Sequence, residues 1–324
     1  MPLPTHGRSK RFPPAWLCAH NAGVRETLTS RPRVLDGGLS TALVETGVKL
    51  DPELWTAGAL LDAPDALESV ALAFLHAGAE LLTTATYQAS LAGFSRRGLD
   101  EAQARATLRD AVIQLRALAP VSVEIAASIG PYGAHLANGS EYRGDYRLDD
   151  AQIEAHFRPL IESMAPHADW LAFETFPQLD ELLRVLDLLA GWPSPLPPVW
   201  VSLCTQSSGA LADGSAMREA ARALQQHERV HMLGVNCCPS RRVLPLLREL
   251  AGEGDKALIA YPNLGDEGPD ARKQPAARAF DSELIQTWAD AGARVLGGCC
   301  GAGPRAIADL SAIVAGLKPR LPYP

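Results

Sequence analysis

The chain is poor in aromatic residues, carries no surplus of positive charge and holds no long apolar run. Aromatics make up 6% of its 324 residues. Lys and Arg number 30 against 37 Asp and Glu, and the formal net charge of −7 excludes the basic footprint of a nucleic-acid binder. No stretch approaches the roughly 20 apolar residues that cross a membrane. The basic run Gly7-Arg8-Ser9-Lys10-Arg11 is not followed by the apolar segment of a signal peptide, so no secretory leader is expected. The eight histidines show no metal-ligand spacing. There is no sequence repeat, low-complexity tract or second core. Without a leader, the six cysteines (Cys18, Cys204, Cys237, Cys238, Cys299 and Cys300) are expected in a reducing, cytoplasmic setting. There, clustered cysteines bind metal more often than they form disulfides.

What is present is an ordinary globular composition, 47% hydrophobic and 21% charged. Residues 1–31, with Pro13-Pro14, are expected to form a mobile or loosely packed arm. Residues 32–324 are expected to form one domain. Within it, short apolar runs alternate with amphipathic helices. Arg33-Val34-Leu35 is the first expected strand, followed by a helix that Ser40 caps and Gly47 stops. Leu67, Val70, Ala71 and Phe74 sit at the i, i+3, i+4, i+7 spacing of a helix opened by Pro64 and stopped by Gly78. Further strands are expected at 80–84, 123–128, 170–173, 199–203, 230–235, 257–260 and 293–296. Asp100 with Gln103 makes a capping box for the third helix. Residues 134–147 read as a long polar loop, and Pro159 is expected to kink or split the helix begun by Asp149 or Asp150. Eight strand–helix units predict a closed parallel (β/α)8 barrel of TIM type.

In such a barrel, chemistry gathers at the C-terminal ends of the strands. Those ends carry Asp36, Tyr87, Glu174-Thr175, Asn236-Cys237, Asn263 and, in Gly297-Gly298-Cys299-Cys300-Gly301, two adjacent cysteines between glycines. Neighbouring cysteines hardly ever bridge each other, but both can face one soft ion. A catalytic zinc takes three protein ligands and keeps one position open. Cys237 supplies the third sulfur, with Cys238 as its alternative, while Cys204 reads as a small buried hydrophobe. Three thiolates form a negative donor set, poor at making hydroxide and suited to holding a fourth, still nucleophilic thiolate. Asp36 and Glu174 would then hold the ammonium of an amino-acid substrate. Backbone N–H groups at Gly37-Gly38 would hold its carboxylate, and Trp55 and Tyr87 would face a sulfonium cation.

From about Arg33 to about Leu317 the chain resembles the homocysteine S-methyltransferase family. The resemblance rests on Val34-Leu35-Asp36-Gly37-Gly38, Gly234-Val235-Asn236-Cys237 and Gly297-Gly298-Cys299-Cys300-Gly301. Thr86-Tyr87-Gln88-Ala89-Ser90, Ser128-Ile129-Gly130-Pro131-Tyr132-Gly133 and the run from Gly139 to Tyr146 look like the branch that uses S-methylmethionine. The resemblance implies zinc on Cys237, Cys299 and Cys300. It also implies L-homocysteine near Asp36, Gly37 and Glu174, with Gly38, Trp55, Tyr87, Gln88, Thr175 and Asn236 completing the substrate site. The implied reaction is direct methyl transfer from a sulfonium to the homocysteine thiolate, giving methionine, with S-adenosylmethionine as a lesser donor. Betaine or another onium donor, and a non-catalytic zinc or thiol sensor, are the alternatives. No nucleic-acid or membrane partner is expected, and a homo-oligomer is compatible with the sequence.

Overall fold

The computed structural model describes residues 31–264 and 280–318. The expected arm, residues 1–31, lies almost wholly outside the described residues. Eight parallel strands stand in the order β1-β8-β7-β6-β5-β4-β3-β2. They are β1 (Arg33–Val34), β2 (Leu81–Thr83), β3 (Glu124–Ile129), β4 (Trp170–Phe176), β5 (Val199–Leu203), β6 (Val230–Pro239), β7 (Ala257–Asn263) and β8 (Ala293–Leu296). The Leu35–Leu81 bridge joins the two ends of this sheet, with Asp36 N donating to Leu81 O at 3.0 Å. The protein is therefore a (β/α)8 barrel, as the strand rhythm predicts. No described helix is long and apolar enough to cross a membrane.

Parallel strands buried on both faces read as continuous apolar runs, which is why they were visible in the sequence. Their side chains alternate between two cores. The interior is filled by Leu35, Leu81, Ala126, Trp170, Ala172, Trp200, Met232, Ile259, Tyr261 and Val295. The larger outer core packs the strands against the surrounding helices. At the N-terminal end of the barrel, Arg33 donates to Glu124 at 2.6 Å, and Glu124 also accepts from the Trp170 indole at 2.7 Å. A buried cation and an indole N–H thus share one carboxylate, and the end is plugged without an orphaned charge.

Several local expectations change. The first helix, Leu39–Glu45, starts at Gly38 with no side-chain cap, so Ser40 is not its cap. The helix Asp150–Met164 runs through Pro159 without a break. Proline removes one backbone bond there, but Phe157, Pro159, Leu160 and Ile161 are all buried, and that packing carries the helix across the gap. The capping boxes at Asp100–Gln103 and Asp149–Gln152 are both formed. The 134–147 region is not a plain loop. It contains the short helices Tyr132–His135 and Ser140–Arg143. Finally, β4 and β6 extend past their apolar runs, so Glu174-Thr175 and Asn236-Cys237-Cys238 lie inside strands.

Gly234 pairs with Ile259 across β6 and β7, and a Cβ there would overlap the Ile259 carbonyl oxygen, which belongs to backbone and cannot swing away. Gly234→Ala is expected to cost about 3 kcal/mol, which lowers the melting temperature by roughly 6–12 °C. A scan of the two proteins measures this.

Candidate active site

The strand alternation that fills the barrel also builds the site. Two residues beyond inward-facing Leu81, Ala126, Ala172 and Trp200 come Thr83, Ser128, Glu174 and Ser202. The interior thus changes from apolar to polar at one level, at the C-terminal ends. A cavity opens there, lined by Asp36, Trp55, Thr83, Tyr87, Ser128, Tyr142, Glu174, Thr175, Asn236, Cys237, Tyr261, Cys299 and Cys300 among others.

The cysteine turn is placed by glycine. Gly38 N donates to Ala302 O at 2.9 Å and Gly298 N to Asp36 O at 3.2 Å. A Cβ on Gly38 would collide with the Cys299 carbonyl, and one on Gly37 with the Ala302 carbonyl. Two backbone segments from opposite ends of the chain therefore touch with no side chain between them. Cys299 N donates to Pro262 O at 2.8 Å and Cys300 N to Asn263 Oδ1 at 3.2 Å, which fixes the turn against β7. The Gly38 N–H is consumed by this seam. That corrects its reading as a donor to a substrate carboxylate.

Cys237 reaches the turn from β6 across β7. The β6–β7 register shifts between Asn236 and Pro239, and Cys237 has φ 47°. The bulge turns Cys237 into the cavity and leaves Cys238 in the outer core, so the alternative ligand faces the wrong way. Cys204 is buried and unpaired with another cysteine. The sulfurs of Cys237, Cys299 and Cys300 all lie within 4.8 Å of one another. Cys237 and Cys299, with Cα atoms 5.6 Å apart, are close enough to be bonded as a disulfide in the structure. Thiols so placed either bond each other or, when reduced, share an ion with the third. The donor set therefore fits a soft metal with one position left open.

Two carboxylates face this cluster. Asp36 accepts from Thr83 N at 2.7 Å and from the Thr83 hydroxyl at 3.0 Å. Burial nonetheless pushes its carboxyl up to about 8, and the charge of Glu174 adds to the rise. Glu174 accepts from the Ser128 hydroxyl, and burial raises its pKa too, against the bonds from Ser128 and Tyr261. Burial thus disfavours the charged form of both carboxylates, which a cation held between them would favour. Asn236 is locked to Thr175, its Oδ1 accepting from Thr175 N at 2.9 Å and its amide donating to the Thr175 hydroxyl at 2.8 Å. Thr175 sits at a bulge in β4 with φ 64°. Trp55, with φ 49°, packs edge-on to Tyr87 at 5.9 Å between ring centroids. Three strained residues thus line one cavity, as functional sites often show.

One expected residue lies elsewhere. The Gln88 amide donates to Glu53 O at 2.8 Å and is not part of the lining, so it braces the Trp55 loop rather than a substrate. Thr83, Ser128, Tyr142 and Tyr261 were not picked out from the sequence. Thr83 and Ser128 lie within the expected strands, and following the inward-facing alternation from Leu81 and Ala126 would have found both.

Barrel, thiol triad and paired carboxylates together define an enzyme of the thiol-centred (β/α)8 class. Residues 33–314 match the family model for homocysteine S-methyltransferase. The chain is 35% identical to homocysteine S-methyltransferase YbgG of Bacillus subtilis over 88% of its length and 95% of that protein. It is 36% identical to the homocysteine S-methyltransferase of Escherichia coli over 86% and 94%. The crystal structure of the metallated form of the Escherichia coli homocysteine methyltransferase MmuM superposes with a TM-score of 0.77, at 35% identity, covering 87% of this chain and 96% of that one. This chain belongs to the homocysteine S-methyltransferase family, and it is an enzyme that transfers methyl groups to homocysteine.

The carboxylate pair has a measurable consequence. Asp36 titrates above its unfolded value, so its contribution to stability is complete below about pH 4 and is lost as the pH rises through about 8. The melting temperature of the ligand-free protein is expected to fall between pH 6 and pH 9. Asp36→Asn, which cannot ionise, is expected to flatten that fall while weakening homocysteine binding at least tenfold.

Proposed function

We propose that this enzyme is a zinc-dependent methyltransferase that carries a methyl group from a sulfonium donor, S-methylmethionine foremost, to L-homocysteine, giving methionine. The observation that carries the reading is the convergence of three thiols and two buried carboxylates on one cavity. Cys237, Cys299 and Cys300 would hold the metal. When bound, zinc lowers the pKa of a substrate thiol while the three protein thiolates keep its sulfur electron-rich and nucleophilic.

The chain's own residues do the rest. Asp36 and Glu174 take the α-ammonium of homocysteine, whose charge favours the ionised form of both. Thr83 and Ser128 orient those carboxylates, and the Asn236–Thr175 pair holds the bulge that separates them from Cys237. Trp55 and Tyr87 present aromatic faces to the donor cation, which binds there without a counter-charge that would have to be stripped away. In the transfer, a lone pair of the homocysteine sulfur forms the new S–CH3 bond. The donor's S–CH3 bond breaks with its electrons returning to the donor sulfur, which leaves as a neutral thioether. With S-methylmethionine, both products are methionine. The thiol's proton passes to solvent when the thiol ionises, so the methyl-transfer step itself needs no proton acceptor. Because the thiols must stay reduced, the reading also places the enzyme in the cytoplasm.

Methionine formation is measured from homocysteine with S-methylmethionine, S-adenosylmethionine or betaine, with zinc determined in the same samples. S-methylmethionine is expected to support the fastest turnover, and chelation to abolish it. Cys237→Ala, Cys299→Ala and Cys300→Ala are each expected to lose zinc and at least 1000-fold in activity while the barrel stays folded. Cys238→Ala is expected to keep its zinc. Full activity of metal-free Cys299→Ala would overturn the zinc reading, and a preference for betaine would overturn the donor.

A further inference from the structure

The segment between β3 and the helix Asp150–Met164 has a place in the site that strand-end logic does not explain. It runs from Tyr132 to Arg147, contains two helices of four residues, and bends through positive φ at Ala137, Gly139 and Gly144. Pieces this short do not hold themselves together. One buried side chain ties the segment's two ends together. Glu181 lies in the first turn of the helix Leu179–Ala190, directly after the strand that carries Glu174, and is 3% exposed. One of its carboxylate oxygens accepts from Tyr132 N at 2.7 Å, and the other from the Tyr146 hydroxyl at 2.6 Å. One carboxylate thus clamps both ends of the segment.

The middle of the segment points at the chemistry. Tyr142 is its contribution to the cavity lining, on the same cavity as Trp55 and Tyr87. The backbone carbonyl of Tyr142 accepts from the Gln206 amide at 2.6 Å, so its position is also tied to the loop after β5. Gly133 allows the Tyr146 ring to lie against the segment's backbone: a Cβ there would sit 2.6 Å from that ring. Tyr132 packs on the same ring with centroids 5.7 Å apart.

We propose that Tyr142 forms, with Trp55 and Tyr87, the aromatic wall that receives the sulfonium of the methyl donor, and that Glu181 is the positioning residue that holds Tyr142 there. The inference rests on the sulfonium-donor reading above and adds the residues that select the donor. A sulfonium is attracted to aromatic faces, and a third face raises the affinity for the cation without touching homocysteine, which binds at Asp36 and Glu174. Glu181 touches no substrate. It acts by setting where the Tyr142 ring stands.

The test is steady-state kinetics on the zinc-loaded enzyme, varying S-methylmethionine and homocysteine separately. Tyr142→Ala is expected to raise the KM for S-methylmethionine about tenfold and that for homocysteine less than twofold, with a smaller shift for Tyr142→Phe, which keeps the ring. Glu181→Ala is expected to give the same split. Glu181→Gln, which still accepts from Tyr132 N–H and can donate to the Tyr146 hydroxyl oxygen, is expected to restore most of it. The double variant Tyr142→Ala/Glu181→Ala is expected to be no worse than Tyr142→Ala alone, because Glu181 has nothing left to position. Equal rises in both KM values, additive losses in the double variant, or a donor KM unmoved by Tyr142→Ala would each overturn the inference. If Glu181→Ala does not fold, the Tyr142 variants alone decide it. A wild-type enzyme that uses no sulfonium donor at all would instead overturn the function reading, and the two failures are distinguishable.

Discussion

The site depends on a close approach of backbone to backbone. The turn after β1 and the turn after β8 meet with glycine on both sides, and the Gly301 N–H donates to the Thr41 hydroxyl at 2.9 Å across 260 residues of sequence. Any side chain in that seam would push Cys299 and Cys300 away from Asp36. The seam is also where the barrel's first and last strands join. The contact that pairs the first strand with the last therefore also brings Cys299 and Cys300 beside Asp36. The glycine pairs serve this contact. The Gly38 N–H is spent on Ala302 O in the same contact.

Strain and burial are concentrated where function requires them. The non-glycine residues with positive φ among the described residues are Trp55, Ala137, Thr175 and Cys237. Three line the cavity, and the fourth bends the segment that delivers Tyr142. The two bulged strands, β4 and β6, carry Thr175 and Cys237 at their irregular points. A bulge re-aims a side chain at the cost of a ladder bond. Here it separates Cys237 from its neighbour Cys238, sending one sulfur to the cavity and the other to the outer core. The carboxylates Asp36 and Glu174 are likewise buried at the C-terminal end of the barrel, where burial disfavours the charged form of each.

Much of this was legible in the sequence, and for physical reasons. Strands buried on both faces have to be apolar throughout, so the eight runs stood out, and the capping box at Asp100 marked a helix start. The thiol set was legible because adjacent cysteines between glycines have few other uses. What escaped was set by tertiary contact. Helices of four residues at Tyr132 and Ser140 have no periodicity to read and exist because Glu181 and Gln206 hold them. The helix through Pro159 survives by packing that composition does not reveal. Gln88 was expected in the site from the family resemblance, yet its amide donates to Glu53 O. Tyr142 and Tyr261 reach the cavity through a tied segment and through strand register, neither of which a linear pattern displays.

The central claim is that three cysteine sulfurs share one ion and leave a place for the substrate's sulfur. X-ray absorption at the zinc edge tests it most directly, on the reduced, zinc-loaded enzyme before and after homocysteine is added. The account predicts three sulfur neighbours and one light-atom neighbour without homocysteine, and four sulfurs with it. A first shell holding fewer than three sulfurs, or one that homocysteine leaves unchanged, would contradict it.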